Sequence, residues 1–145
     1  MTTYAGEAEA VIAAAAEDVF AALVDYEHLA EWQGPVKAAT VLTRDAQGRG
    51  RDVRYEIDVR LATVRYTLRH GYEEPTRITS EYVEGDFRDC QGEWTFRDRG
   101  DGTTEGRFAL RIDPGRLIPR PVAKMLNERV MKASVEDVRR HFARS

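Results

Sequence analysis

The chain of 145 residues has one cysteine, Cys90, and only three each of lysine, serine and histidine. A lone cysteine excludes an intrachain disulfide and a cysteine-based zinc cluster. Ser80, Ser134 and Ser145 all lie outside any Gly-x-Ser-x-Gly elbow, so a serine nucleophile finds no support. His28, His70 and His141 lack His-x-His or His-x-x-x-His spacing, and no metal is expected. Gly48-Arg49-Gly50 lacks the third glycine of a dinucleotide fingerprint, and there is no Walker sequence, so no cofactor is expected either. The longest apolar run, Ala10–Ala16, has seven residues, far short of the roughly 20 that span a bilayer. Glu7 and Glu9 precede it where a signal peptide would carry basic residues. A cytoplasmic location is therefore the expectation. The net charge of −3 offers no basic excess for neutralising phosphates, so DNA is not an expected partner.

What is present is a globular composition, 42% hydrophobic and 32% charged. The length predicts one domain over residues 1–145. Tyr4–Ala13 reads as a strand, with Glu7 and Glu9 alternating against Ala8 and Ala10. The period then changes. Val19, Phe20, Leu23 and Val24 form a helical stripe, with Glu17 and Asp18 in the first turn where the helix dipole favours anions. A second short helix is predicted over Glu27–Trp32, ended by Gly34-Pro35.

A long series of strands follows: Val36–Thr43, Asp52–Leu61, Thr63–Tyr72, Arg77–Glu84, Phe87–Arg97 and Thr103–Asp113. In Asp52–Leu61, Val53, Tyr55, Ile57, Val59 and Leu61 alternate with Asp52, Arg54, Glu56, Asp58 and Arg60. Such alternation gives each strand one wet face and one buried face, which predicts an antiparallel sheet covered on one side. Arg120–Ala143 contains only one proline, Pro121 in its first turn, and no glycine. It predicts one long amphipathic helix, with Val122, Leu126, Val130, Ala133, Asp137 and His141 on one stripe and Met125, Val138 and Phe142 beside it. The predicted fold is α+β: a curved seven-stranded sheet, two short helices and a long C-terminal helix in its concavity. A helix about 10 Å wide cannot fill such a sheet, so a cavity should remain beside it. Apolar cavities of this kind take small apolar ligands.

This order of elements resembles the helix-grip fold of the START and birch-pollen-allergen superfamily. Within it, the sequence is similar to the polyketide cyclase/dehydrase and lipid-transport proteins, a branch that includes coenzyme-Q-binding START proteins and the ribosome-association toxin group. The resemblance rests on Glu17-Asp18-Val19-Phe20 through Asp25-Tyr26, Trp32 before Gly34-Pro35-Val36, Gly85-Asp86-Phe87, Gly92-Glu93-Trp94-Thr95-Phe96 and Gly102-Thr103-Thr104. It covers about residues 5–142 and implies a hydrophobic-ligand cavity between sheet and C-terminal helix. It does not by itself imply catalysis.

The inward phases assign the lining to Tyr55, Ile57, Tyr66, Leu68, His70, Ile78, Tyr82, Trp94, Phe96, Phe108 and Leu110, with Met125 and Leu126 from the helix. Trp32 either flanks the cavity mouth or pins the small helices to the sheet. Cys90 shares the parity of Trp94 and reads as a small buried filler. Arg88 shares it too: inward, it would form a polar anchor with Glu84, unless a bulge turns it outward. The leading function is binding of a lipid, an isoprenoid quinone or an aromatic polyketide. The alternative is a polyketide aromatase/cyclase, with His70, Tyr66 and Tyr82 as acid–base candidates. A third reading is a ribosome- or protein-interaction module that uses the basic C-terminal helix, since residues 116–145 hold eight basic and three acidic groups, a surface that also suits transient membrane contact.

Overall fold

A computed structural model describes residues 3–59, 62–116 and 118–143. Strand β1 (Tyr4–Ile12) leads into α1 (Ala16–Val24) and a 3-10 turn over Tyr26–Glu31. Six strands follow: β2 (Val36–Val41), β3 (Asp52–Val59), β4 (Ala62–Glu73), β5 (Arg77–Gly85), β6 (Asp89–Asp98) and β7 (Thr104–Asp113). Helix α2 (Arg120–Ala143) ends the chain of elements. Arg60 and Leu61, assigned above to the third strand, lie outside the described residues.

The seven strands form one antiparallel sheet in the order β1-β7-β6-β5-β4-β3-β2. Strands β2 to β7 are a meander, and β1 joins its far side, where Tyr4 pairs with Ile112 and Ile12 with Thr104. Alternation decides which face is wet. On β7, Thr104, Gly106, Phe108, Leu110 and Ile112 are buried, while Arg107 and Arg111 are exposed. The outward positions carry cross-strand ion pairs such as Arg69–Asp52, Arg65–Glu56 and Arg77–Glu93. Their solvent exposure makes each worth little to stability.

Two irregularities shape the sheet. Tyr66 pairs with Gly85 and Thr67 with Glu84, but Leu68 pairs with Tyr82, so Val83 is the extra residue of a bulge. Gly85 sits there at φ 140°, and a Cβ on it would stand 2.5 Å from the Tyr66 Cα. The second shift lies between Val36 and Ala38 on β2.

Helix α2 lies chiefly along β1 and β7. Its buried face consists of Ala123, Leu126, Asn127, Val130, Met131, Ser134, Val135 and Val138. This differs from the expected stripe, of which only Leu126 and Val130 are buried. The true face includes Asn127 and Ser134, which a search for apolar periodicity passes over, and it leaves His141 exposed. Asn127 earns its place by hydrogen bonding: its Nδ2 donates to the carbonyls of Tyr4 and Leu110, both at 3.3 Å, joining α2 to β1 and β7. Gly6 allows the close approach, because a Cβ there would meet the Met131 side chain at 3.0 Å.

The inward Arg88 anchor does not form. Strand β6 begins at Asp89, so Arg88 belongs to the preceding turn, and its side chain is exposed with Nε 3.9 Å from the Asp113 carboxylate. Glu84 is exposed as well. The inward aromatic of that turn is Phe87, which is buried.

Candidate functional site: an aromatic cavity with a polar end

The concave side of the sheet, the 3-10 turn and α2 enclose a cavity of about 90 Å³. Alternation brings one inward side chain after another to it: Tyr55 and Ile57 from β3, Tyr66, Leu68 and His70 from β4, Ile78 from β5, Trp94 from β6, Phe108 and Leu110 from β7. These nine were assigned to the lining from sequence. Flat rings dominate. Trp94 stacks on Phe108 at 4.7 Å and 11°, and Tyr66 lies 5.7 Å from Tyr55.

Five assigned residues sit elsewhere. Phe96 is buried beneath α1, edge-on to Phe20 at 6.4 Å. Leu126 and Met125 lie on α2 before the turns that reach the cavity, which contribute Val130 and Ser134. Tyr82 lies just before the bulge and its hydroxyl donates to the Phe87 carbonyl at 2.7 Å. Trp32 stacks on His141 at 4.3 Å and 21°, on the outer side of α2. Phe96 shows the effect of curvature: a curled sheet covered by two helices has inward positions that meet a helix instead of the cavity.

Trp32 belongs instead to a three-point clasp. Gln33 donates from Nε2 to the Ser134 carbonyl at 3.1 Å, and the Gly34 N–H donates to Asp137 Oδ2 at 2.8 Å. Residues 32–34 thus hold successive turns of α2, at 141, 134 and 137, and Gln33 also borders the cavity.

Sequence reading missed ten lining residues. Leu23, Tyr26, Leu29 and Gln33 come from the connection between β1 and β2, where no alternation marks the inward side, and Val36 opens β2. Ser80, Cys90 and Gly92 share the inward parity of their strands, and parity alone was enough to find them. Val130 and Ser134 complete the set.

One end of the cavity is polar. His70 is held between β3 and β5: Nδ1 lies 3.2 Å from the Thr79 carbonyl and 3.0 Å from Ser80 Oγ, and Nε2 lies 2.6 Å from the Tyr55 hydroxyl. A carbonyl only accepts, so Nδ1 carries the proton and Nε2 accepts from Tyr55. The Tyr26 ring stacks on the imidazole at 5.1 Å and 15°. The Tyr26 hydroxyl is 2.8 Å from that of Tyr72, which donates to the Gly50 carbonyl at 2.5 Å. The Arg49 guanidinium lies 4.7 Å over the Tyr72 ring.

Burial sets the protonation states. It lowers the His70 pKa to about 4, so the imidazole is neutral at physiological pH. It raises the phenols of Tyr26, Tyr55 and Tyr66 well above their usual value and that of Tyr72 to about 12. Cys90 is pushed up to about 12, first by burial and then by the Asp89 carboxylate. The cavity therefore contains no formal charge. Among the described residues, no group of three or more His, Cys, Asp or Glu side chains is placed to hold a metal ion, and no helix is long and apolar enough to cross a membrane.

A curled antiparallel sheet gripping one long helix over an uncharged aromatic cavity is the helix-grip architecture. The chain belongs to the polyketide cyclase/dehydrase and lipid transport family, whose profile matches residues 12–139. Its fold is similar to a START superfamily protein from Mycobacterium smegmatis, at 18% identity and TM-score 0.85 over 97% of each chain. It is similar to the Zhui aromatase/cyclase from Streptomyces sp. R1128, at 20% identity and TM-score 0.83 over 99% of this chain and 95% of that one. The TTHA0849 protein from Thermus thermophilus shares 21% identity and TM-score 0.83 over 97% and 98%. A search of curated protein sequences returns no match.

Proposed function

We propose that this protein binds a small hydrophobic molecule in the cavity between the sheet and α2. The observation that carries this reading is the concave, mostly apolar lining of Trp94, Phe108, Ile78, Leu68 and Tyr66. A ligand there exchanges water for flat aromatic and aliphatic surface, worth about 25 cal/mol per Å² buried. At about 90 Å³ the cavity is smaller than the roughly 300–1,000 Å³ of drug-sized sites. A lipid, an isoprenoid quinone or a polyketide is larger than this space.

The test is calorimetric titration with toluene. One saturable site is expected in the wild type. Leu68→Trp should fill the space and abolish binding while thermal unfolding stays cooperative. An absence of saturable binding, or unchanged affinity in that variant, contradicts the reading.

Catalysis is the second reading, favoured by the Tyr55–His70–Ser80 cluster and by the fold shared with an aromatase/cyclase. Against it stand the acid–base strengths. A base of pKa about 4 is weak at neutral pH, and the buried phenols are weak acids. Tyr66 and Tyr82 make no hydrogen bond to His70 that would join them to the cluster. Cyclisation of a poly-β-ketone no faster with wild type than with His70→Ala would exclude this role for His70.

A further inference from the structure

The polar end of the cavity has a definite hydrogen-bond polarity. The Thr79 carbonyl takes the Nδ1 proton of His70, so Nε2 takes the proton of Tyr55. The Gly50 carbonyl takes the proton of Tyr72, so the Tyr72 oxygen takes the proton of Tyr26. Tyr26 and Tyr55 both line the cavity, and both have already given their protons away. Each oxygen keeps lone pairs, and a phenol oxygen accepts as well as donates. Their rings lie edge to face at 6.4 Å, which puts both at the same end. Ser80 Oγ accepts from the same Nδ1 at 3.0 Å and retains its own proton. That end therefore offers two accepting oxygens and one hydroxyl donor.

We infer that the cavity takes a single-ring aromatic molecule bearing a hydroxyl, a phenol, with its O–H donated to Tyr55 or Tyr26. This rests on the binding reading above and narrows it to a ligand class. Size sets the single ring: about 90 Å³ is near the scale of an engineered cavity of about 150 Å³ that admits benzene, and leaves no room for a second fused ring. Trp94 and Phe108, stacked on one another, border the space such a ring would occupy. Hydrogen-bond direction sets the hydroxyl. A quinone or ketone brings only acceptors, so it can use the Ser80 proton but leaves the lone pairs of Tyr26 and Tyr55 unmet, whereas a phenol O–H has an acceptor in either of them.

The experiment is calorimetric titration of the full chain with phenol, anisole, toluene and 1,4-benzoquinone. Phenol and anisole differ in the donated proton, and one hydrogen bond of about 1.4 kcal/mol is a tenfold difference in affinity. Phenol is expected to bind roughly tenfold tighter than anisole or toluene, which lack the donated proton, and tighter than benzoquinone. Tyr55→Phe removes one of the two accepting oxygens and should narrow the gap between phenol and anisole. Equal affinities for phenol and anisole in the wild type, or tighter binding of benzoquinone, would overturn the hydroxyl assignment while leaving the cavity a binding site. Binding of none of the four would overturn both. The wild-type comparison decides the matter even if Tyr55→Phe does not fold.

Discussion

His70 makes folding stability depend on pH in a window where little else titrates. In the unfolded chain its pKa is near 6.5, and in the folded protein burial holds it at about 4. As pH falls below 6.5, the unfolded state takes up a proton that the folded state refuses. Stability is thus complete above pH 6.5 and is lost as pH falls towards 4. A tenfold difference in proton affinity between the two states is worth about 1.4 kcal/mol, so the loss between pH 7 and pH 5 is about 2 kcal/mol. The depressed carboxylates of Asp45, Asp52, Asp101 and Glu136 act in the same direction, but below pH 5, where carboxylates of the unfolded chain begin to protonate. His28 opposes the trend, because a hydrogen bond to Asp25 raises its pKa, but it is exposed and its effect is small. The assay is urea denaturation followed by circular dichroism at pH 7, 6 and 5. The wild type should lose about 2 kcal/mol across that range, and His70→Gln, which does not titrate, should lose little of its own lower stability. An equal decline in both proteins would refute the buried, neutral imidazole.

Three further outcomes follow from the packing. Gly85→Ala places a Cβ 2.5 Å from the Tyr66 Cα at a φ of 140°; chemical denaturation should show a loss of about 2 kcal/mol or more, and an unchanged midpoint would remove the need for glycine at the bulge. Asn127→Ala removes two hydrogen bonds from α2 to β1 and β7. It should cost about 1–3 kcal/mol by the same assay, whereas a more stable variant would show that the amide contributes nothing there. Cys90 is 2% exposed with a pKa near 12, so an aromatic disulfide reagent at pH 8 should leave it unmodified in the folded protein and react fully in urea. Rapid labelling without denaturant would mean that the cavity opens freely.

Strand positions were legible because period-2 alternation states the buried face directly. Asp52, Arg77 and Asp113 fall where the sequence places them as strand ends. The Arg120–Ala143 helix agrees at both ends, since Pro119 precedes it and no glycine interrupts it. Its buried face was less legible. Asn127 faces the core for the sake of two backbone carbonyls, and that reason exists only once β1 and β7 are in place. The site was half legible for a related reason. Parity puts Trp94 and Phe96 on one face of β6, yet only three-dimensional packing sends Phe96 to α1 and Trp94 to the cavity. Tyr26 had no periodic signal, because it opens a six-residue 3-10 turn, and its place beside His70 depends on how that turn folds over the sheet. Arg88 shows the reverse case, in which a turn extending through residue 88 cancels the parity that would have pointed it inward.

The central claim is that the interior, and not the surface, receives a small apolar molecule. Nuclear Overhauser contacts from toluene to the isotope-labelled protein test it most directly. The account predicts contacts from toluene to the rings of Trp94 and Phe108 and to the side chains of Ile78 and Leu110, all of which line the cavity. Contacts confined to Val11, Leu42 and Val83, the large apolar side chains exposed among the described residues, would contradict it.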